Sequence, residues 1–337
     1  VTSNVADGSQ VLSRRQQRRA VRDRWRVRRP WHHAAAEHAV RVLAGTAVLS
    51  IVLIFVFVAK ETLPLLYSAE VQHEVTLAQM WFAQLWPGYD VAEHVWQPVS
   101  DVPKYGIWPL VVGSLKVTVL AMVFATPLGV GSAVWVSQYC PPRAREWIKP
   151  TIELLAGIPS VVLGFFALMV LATALQGVLD LDYRLSALLA GLALSVALVP
   201  VIFTLSEEAL RAVPRSYVEA STALGARRAQ TIVRVILPAA WPGIAASLAL
   251  AFGRAVGETM IVLMASGNAA ILSLSVTEST RTLPATIAAE LAEVVFGGAH
   301  YTVLFFLGSL LFLVTFGVNL AGGWVIDRAQ ARLGGRS

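Results

Sequence analysis

Six apolar blocks set the frame for this chain. They cover residues 40–59, 107–139, 151–175, 185–205, 239–267 and 301–325. Each reaches the roughly 20 residues that a helix needs to cross a bilayer. Lipid offers no partner to a free backbone N–H or C=O, so a crossing segment becomes a helix or part of a closed barrel. Blocks this long and this uniformly apolar select helix. The expected fold is all-α, a polytopic membrane protein with six transmembrane helices.

The charges agree. Only 14% of the 337 residues are charged, against roughly a quarter in soluble domains. The single cysteine, Cys140, allows no intrachain disulfide and reads as a packing residue. The first block follows a long polar stretch and lacks a small-x-small exit, so it is expected to stay as an anchor. The block at 107–139 exceeds what a bilayer needs and should tilt or project. Pro127 should kink it, and Lys116, near its start, should snorkel outward.

Topology follows from the loops. Residues 1–41, 139–150, 207–234 and 325–337 carry a combined net charge of +13, and residues 60–106, 176–184 and 270–300 carry −7. The four charges inside the blocks cancel, which leaves the +6 of the whole chain. Cytosolic loops hold the excess of Lys and Arg, so both termini are expected in the cytosol. Residues 1–41 contain ten arginines. Beside Trp25 and Trp31 they could hold phosphates and stack bases. An arm that leads directly into a membrane span fits a topological and anionic-lipid contact better, so membrane lipids and no nucleic acid are expected as partners. His32, His33 and His38 have no evident ligand partners there, and no metal site is expected. Nothing reads GxxxxGK[ST], so any ATP is hydrolysed by another subunit.

Two stretches carry function. Residues 207–234 hold two helical pieces, EEALRAV and SYVEASTALGA, separated by Pro214. Gly225 can end the second in the left-handed conformation. Such a hairpin fits a groove on a partner, or is a solvated loop between spans. In the fifth block, Arg254 and Glu258 stand four residues apart and on one helix would share a face and pair. A charge at the bilayer centre costs at least ~2.5–3.5 kcal/mol and marks a substrate path by default. The guanidinium fork matches phosphate oxygens. The alternative is a static pair that fixes packing. Gly253 and Gly257 form a small-xxx-small face for close helix approach. Glu153, at the start of the third block, either pairs with a nearby Lys or Arg or points to the interface. Residues 283–296 read as a short interfacial helix with Pro284 in its first turn.

The polar stretch resembles the inner-membrane subunits of bacterial ABC importers. Their signature is EAA, three residues, Gly, nine residues, Ile-x-Leu-Pro. Here it reads Glu219-Ala220-Ser221, Gly225, then Val235-Ile236-Leu237-Pro238, with Ser221 and Val235 as mild departures. The resemblance implies that Glu219, Ala220, Gly225, Leu237 and Pro238 belong to a segment that docks on an ATPase. GIWPLVVGSLKVT, ATPLGVGSAV, IELLAGIPSVVLGFF and GRAVGETMIVLMASGN are similar to runs of the PstC-type phosphate permeases. The resemblance covers about residues 96–325 and leaves out the arm.

It implies a MetI-like ABC importer permease fold. The expected divisions are a basic arm (1–41), the first membrane helix and extracytoplasmic loop (42–106), a permease domain with its coupling loop at 207–238 (107–327), and a tail (328–337). Implied partners are a PstA-type second permease, PstB-type ATPase subunits and a PstS-type phosphate-binding protein, in a bacterial inner (plasma) membrane. Phosphate is the implied substrate, with Arg254 and Glu258 on its path and no cofactor. Other oxyanions (phosphonate, sulfate, molybdate) are the near alternative. A secondary transporter would carry an internal repeat, and a membrane enzyme would cluster catalytic side chains; neither pattern is found.

Overall fold

The computed structural model describes residues 31–334. The expectation for the arginines at 14–29 lies outside the described residues. Among the described residues, regular structure is helical apart from one antiparallel strand pair, Trp96–Gln97 with Lys104–Tyr105, and two isolated bridges. Six helices among the described residues are long and apolar enough to cross a membrane.

The chain divides into two units at Val58. In the first, the described residues form helix α1 (Trp31–Thr62), whose last turn continues into the second unit. Its apolar side chains, such as Leu43 and Ile54, are exposed, as suits a lipid-facing helix.

In the second unit, three short helices and the strand pair lead to α2 (Trp108–Gln138), which runs unbroken through Pro127. Then come α3 (Pro142–Leu155), α4 (Ser160–Leu179, with a π-turn at Ala167–Leu171) and α5 (Ala187–Arg211). They are followed by α6 (Arg215–Ala223), α7 (Arg228–Val256, with a π-turn at Ile232–Ile236) and α8 (Met260–Ala265). The last are α9 (Leu283–Glu290) and α10 (Ala299–Gly334). Lipid tails are as apolar as leucine, so such helices associate through close packing at small residues. A Cβ on Gly191 of α5 would lie 2.6 Å from that of Leu120 on α2, and one on Gly129 of α2 2.7 Å from that of Ile202 on α5. The core between these helices is accordingly rich in alanine, with Ala121, Ala125, Ala190 and Ala193 buried.

Three boundaries differ from the sequence expectation. The third block splits. Gly157 and Pro159 stop a helix that began at Pro142, and the membrane span starts only at Ser160. Glu153 therefore belongs to the amphipathic α3, where it meets Lys149 at 3.7 Å. The fourth block runs longer, to Arg211, which puts Glu207 inside a membrane helix rather than in a loop. The fifth is displaced toward the N-terminus and runs from Arg228 to Val256, not from 239 to 267. Leu237 and Pro238 thus lie within α7. Proline has no N–H, and its ring collides with the carbonyl four residues back. The π-turn at Ile232–Ile236 widens the ladder at that point.

After α8 the chain turns at Gly267 (φ +82°) and Asn268 (φ +54°) and continues without helix to Thr282. Backbone at membrane depth needs protein partners. Here the carbonyls of Val276 and Glu278 accept from Leu188 and Ala187, the free N–H groups at the start of α5. The first four residues of α9 are buried, and the helix stops at Glu290, short of the expected residue 296. Pro284 does stand in its first turn.

Candidate coupling hairpin and translocation site

The hairpin is built as its residues dictate. α5 stops at Arg211, Pro214 precedes α6, and Gly225 follows it at φ +79°. That left-handed geometry favours glycine. The Gly225 N–H reaches the Thr222 carbonyl at 2.9 Å, and Ala226 reaches that of Ser221 at 3.2 Å. Ser221 and Thr231 join their hydroxyls at 3.0 Å and close the hairpin base. Arg228 donates to the Gln138 carbonyl and stacks on Tyr139, fixing the start of α7 to the end of α2. Glu219, Ala220 and Gly225 are exposed together at the tip, beside the exposed Tyr217 and Leu224. Leu237 and Pro238 are not with them. They lie further along α7, and Leu237 packs into the core beneath the hairpin.

A charged cluster at this end escaped sequence reasoning. The Glu207 carboxylate is fully buried. It accepts from Arg145 and, at 3.1 Å, from Lys149, both on α3; Arg211 stands at 4.0 Å. A buried charge persists only when paired and hydrogen-bonded. Arg145 and Lys149 are one helical turn apart in an amphipathic segment, a signal that a facing acid was to be sought. Beside them lies a cleft of about 600 Å³ lined by Arg145, Lys149, Arg211, Arg228, Glu146 and Glu153.

The other site lies at the far end of α7. Arg254 is in the last turn and exposed. The helix ends at Val256 with Gly257 as cap, so Glu258 is not one turn further along the same face. The expected ion pair is not formed. Glu258 turns instead to α8, where its Oε1 accepts from the N–H groups of Met260 (3.2 Å) and Ile261 (3.5 Å). Glycine weakens a helix interior, and the Glu258 and Thr259 side chains bond to nearby backbone instead. The glycines also part. A Cβ on Gly253 would come 3.3 Å from Asn319 of α10, a close helix contact, whereas Gly257 meets only its own helix. Gly257 lines a groove of about 490 Å³ with Thr259, Pro284, Ile287, Leu291 and Leu311. Lys116 does not snorkel outward. Its ammonium donates to the carbonyls of Ser273 (3.0 Å) and Ser275 (2.9 Å).

Near the same end, Glu290 gathers Arg281 (2.7 Å), His300 (2.9 Å) and the Trp96 indole N–H (3.2 Å). It ties the strand pair to α9 and α10. Burial, with Glu74 and Glu290 adding, pushes the nearby Tyr105 phenol up to about 12.

A multi-pass helical bundle with a capped, outward-facing hairpin at one end and few internal charges has the build of a membrane transport subunit. The family model "Binding-protein-dependent transport system inner membrane component" matches residues 125–329, and the chain belongs to that family. It is an inner-membrane permease component of an ABC importer.

Similar proteins include the phosphate transport system permease protein PstC of Mesorhizobium japonicum, 32% identical over 258 residues, 71% of this chain and 78% of that one. The probable ABC transporter permease protein YqgH of Bacillus subtilis is 36% identical over 221 residues, 66% of this chain and 72% of that one. Among solved structures, a bacterial ABC transporter involved in the import of the acidic polysaccharide alginate covers 88% of this chain and 98% of its own, at TM-score 0.59 and 13% identity. That likeness is one of fold.

Proposed function

We propose that this chain is the permease subunit of an ATP-driven phosphate importer and forms half of the translocation path. The carrying observation is Arg254: an exposed guanidinium at the end of a membrane helix, with no carboxylate in ion-pair range among the described residues. Leaving a charge unpaired at such a place is costly unless an anion or water meets it. An arginine fork binds oxyanions through two parallel hydrogen bonds. The relatives named as phosphate permeases support phosphate over other oxyanions.

The assembly implied has a second, PstA-type permease, PstB-type ATPase subunits seated on the hairpin, and a PstS-type protein that delivers phosphate. This chain needs no catalytic residue of its own, because hydrolysis belongs to the ATPase. The charge split of the loops supports a cytosolic hairpin and cytosolic termini. Cysteines at the exposed positions 90 and 293 should label from outside, and those at 143 and 220 only after the membrane is opened. Labelling of 220 in intact cells would reverse the orientation. Uptake of radiolabelled phosphate by the reconstituted complex, challenged with phosphonate, sulfate or molybdate, tests the substrate. Uptake suppressed by sulfate and not by phosphate would replace it.

A further inference from the structure

Lys116 stands in the third turn of α2, roughly 12 Å along the axis from Trp108 at 1.5 Å per residue. Its ammonium is held by two backbone carbonyls, those of Ser273 and Ser275. Among the described residues no carboxylate comes within ion-pair distance. An ammonium has three donors, and the two carbonyls occupy two. Hydroxyls crowd the same turn. Ser273 Oγ accepts from the Ser275 N–H at 3.1 Å, and Ser275 Oγ lies 3.1 Å from Thr277 Oγ1.

The segment that holds this ammonium is itself weakly held. Downstream of Val276 it is bound to α5 by two carbonyls, and Leu283 N–H donates to Ser114 of α2 at 2.8 Å. Gly113 leaves room for the Arg281 carbonyl, which a Cβ there would strike. Residues 271–275 have no such anchors. Among the described residues, their hydrogen bonds to another element are the two from Lys116. Leu274, between the two serines, is 85% exposed.

The geometry points to Lys116 as an oxyanion-binding residue of the translocation path, held at rest by the Ser273 and Ser275 carbonyls and handed to the anion on its arrival. This rests on the reading of the chain as an oxyanion permease. A charged oxygen is a stronger acceptor for an ammonium than a neutral carbonyl. Exchange therefore keeps the cation satisfied at every stage, as suits a half-buried ammonium within a membrane span. The same exchange releases residues 271–275, which among the described residues have no other hydrogen bond to another element, while Ala270 keeps its packing against the apolar core. Arrival of the anion and movement of the segment are one event.

The test uses the full transporter in proteoliposomes, with its binding protein, in a C140S background. An environment-sensitive dye is placed on L274C, an exposed position. With Lys116 present, phosphate should change the dye emission. K116M should show altered emission without phosphate, no further response to it, and uptake reduced by at least roughly tenfold, since hydrogen bonds to a charged group are worth about 1.5–3 kcal/mol. K116R keeps the cation and guards against a folding failure. It should assemble, respond to phosphate, and show a several-fold change in apparent KM. Wild-type uptake and an unchanged dye response in K116M, or a wild-type KM in K116R, would overturn the proposal. Transport of sulfate instead of phosphate by the wild-type complex would refute the phosphate assignment alone. The dye response to sulfate would then decide the role of Lys116.

Discussion

The Glu207 carboxylate meets the Lys149 ammonium at 3.1 Å, across 58 positions of sequence. With Arg145 on the same carboxylate, this contact joins α3 to the last turns of α5, immediately before the hairpin. The base of the hairpin is thereby tied to the segment that leads into α4.

Glu207→Gln should destabilise the protein by about 3 kcal/mol, the low end for breaking a buried pair, because Arg145 and Lys149 stay partly in reach of water. Thermal unfolding in detergent measures this. The triple change E207M/R145M/K149M leaves no buried lone charge, since Arg211 and Glu153, which lose a partner, are exposed, and it should recover part of the loss. A triple variant less stable than E207Q would contradict the clamp.

Gly225 has open space where a Cβ would lie, so only its backbone conformation resists substitution. Gly225→Val should cost roughly 1–2 kcal/mol of local strain and abolish capture of the ATPase subunit in a pull-down. Gly225→Asn, which tolerates the left-handed region, should retain most of it. Glu219→Lys alters the exposed face without strain and should also lose the ATPase. Equal capture by the Val and Asn variants would remove the conformational argument.

Because Arg254 and Glu258 do not pair, their substitutions should act separately. Arg254→Gln should abolish phosphate uptake at normal membrane levels, and Arg254→Lys should restore it only in part, since a point charge cannot form the fork. Glu258→Ala removes the acceptor at the start of α8 and should cost about 1 kcal/mol, as cap losses do. The double variant R254Q/E258Q should be as inactive as R254Q. Recovered uptake in the double variant would restore the ion-pair reading.

Tyr105 gives a pH signature. Its phenol titrates near 12 in the folded chain and near 10 when unfolded. A group raised on folding contributes stability that is complete below the unfolded value and is lost as pH rises through the folded one. Stability in detergent should therefore decline from pH 10 to 12, and Tyr105→Phe should flatten that part of the profile. An unchanged slope in the variant would assign the decline to other groups.

Much of this was legible in sequence because lipid imposes simple rules. Length and apolarity located six spans, and Gly225 carried its helix-ending role openly. What stayed hidden depended on where helices stop. The spacing of Arg254 and Glu258 implies a shared face only if the helix continues, and hydropathy is blind to a break at Gly257. Residues 151–159 are apolar enough to extend a span, yet Gly157 and Pro159 divide it. Glu207 looked like the first residue of a polar loop because burial by Arg145 and Lys149 comes from a distant stretch. Lys116 could have snorkelled by its position alone, and only the return of residues 273–275 gave it carbonyls to hold.

The π-turn at Ile232–Ile236 amounts to one residue inserted into an otherwise regular helix. One residue of α-helix corresponds to about 100° of rotation. A π-turn takes up that residue by widening locally, so the helix on either side keeps its phase. The hairpin and Arg254, at opposite ends of α7, therefore hold their faces although the stretch between them carries a surplus residue. A deletion of Val233, exposed in that turn, would close it to ordinary helix and leave both faces in place. The same deletion in the regular helix beyond it would turn one end against the other by about 100°. For this helix, where a residue is lost matters more than which residue is lost.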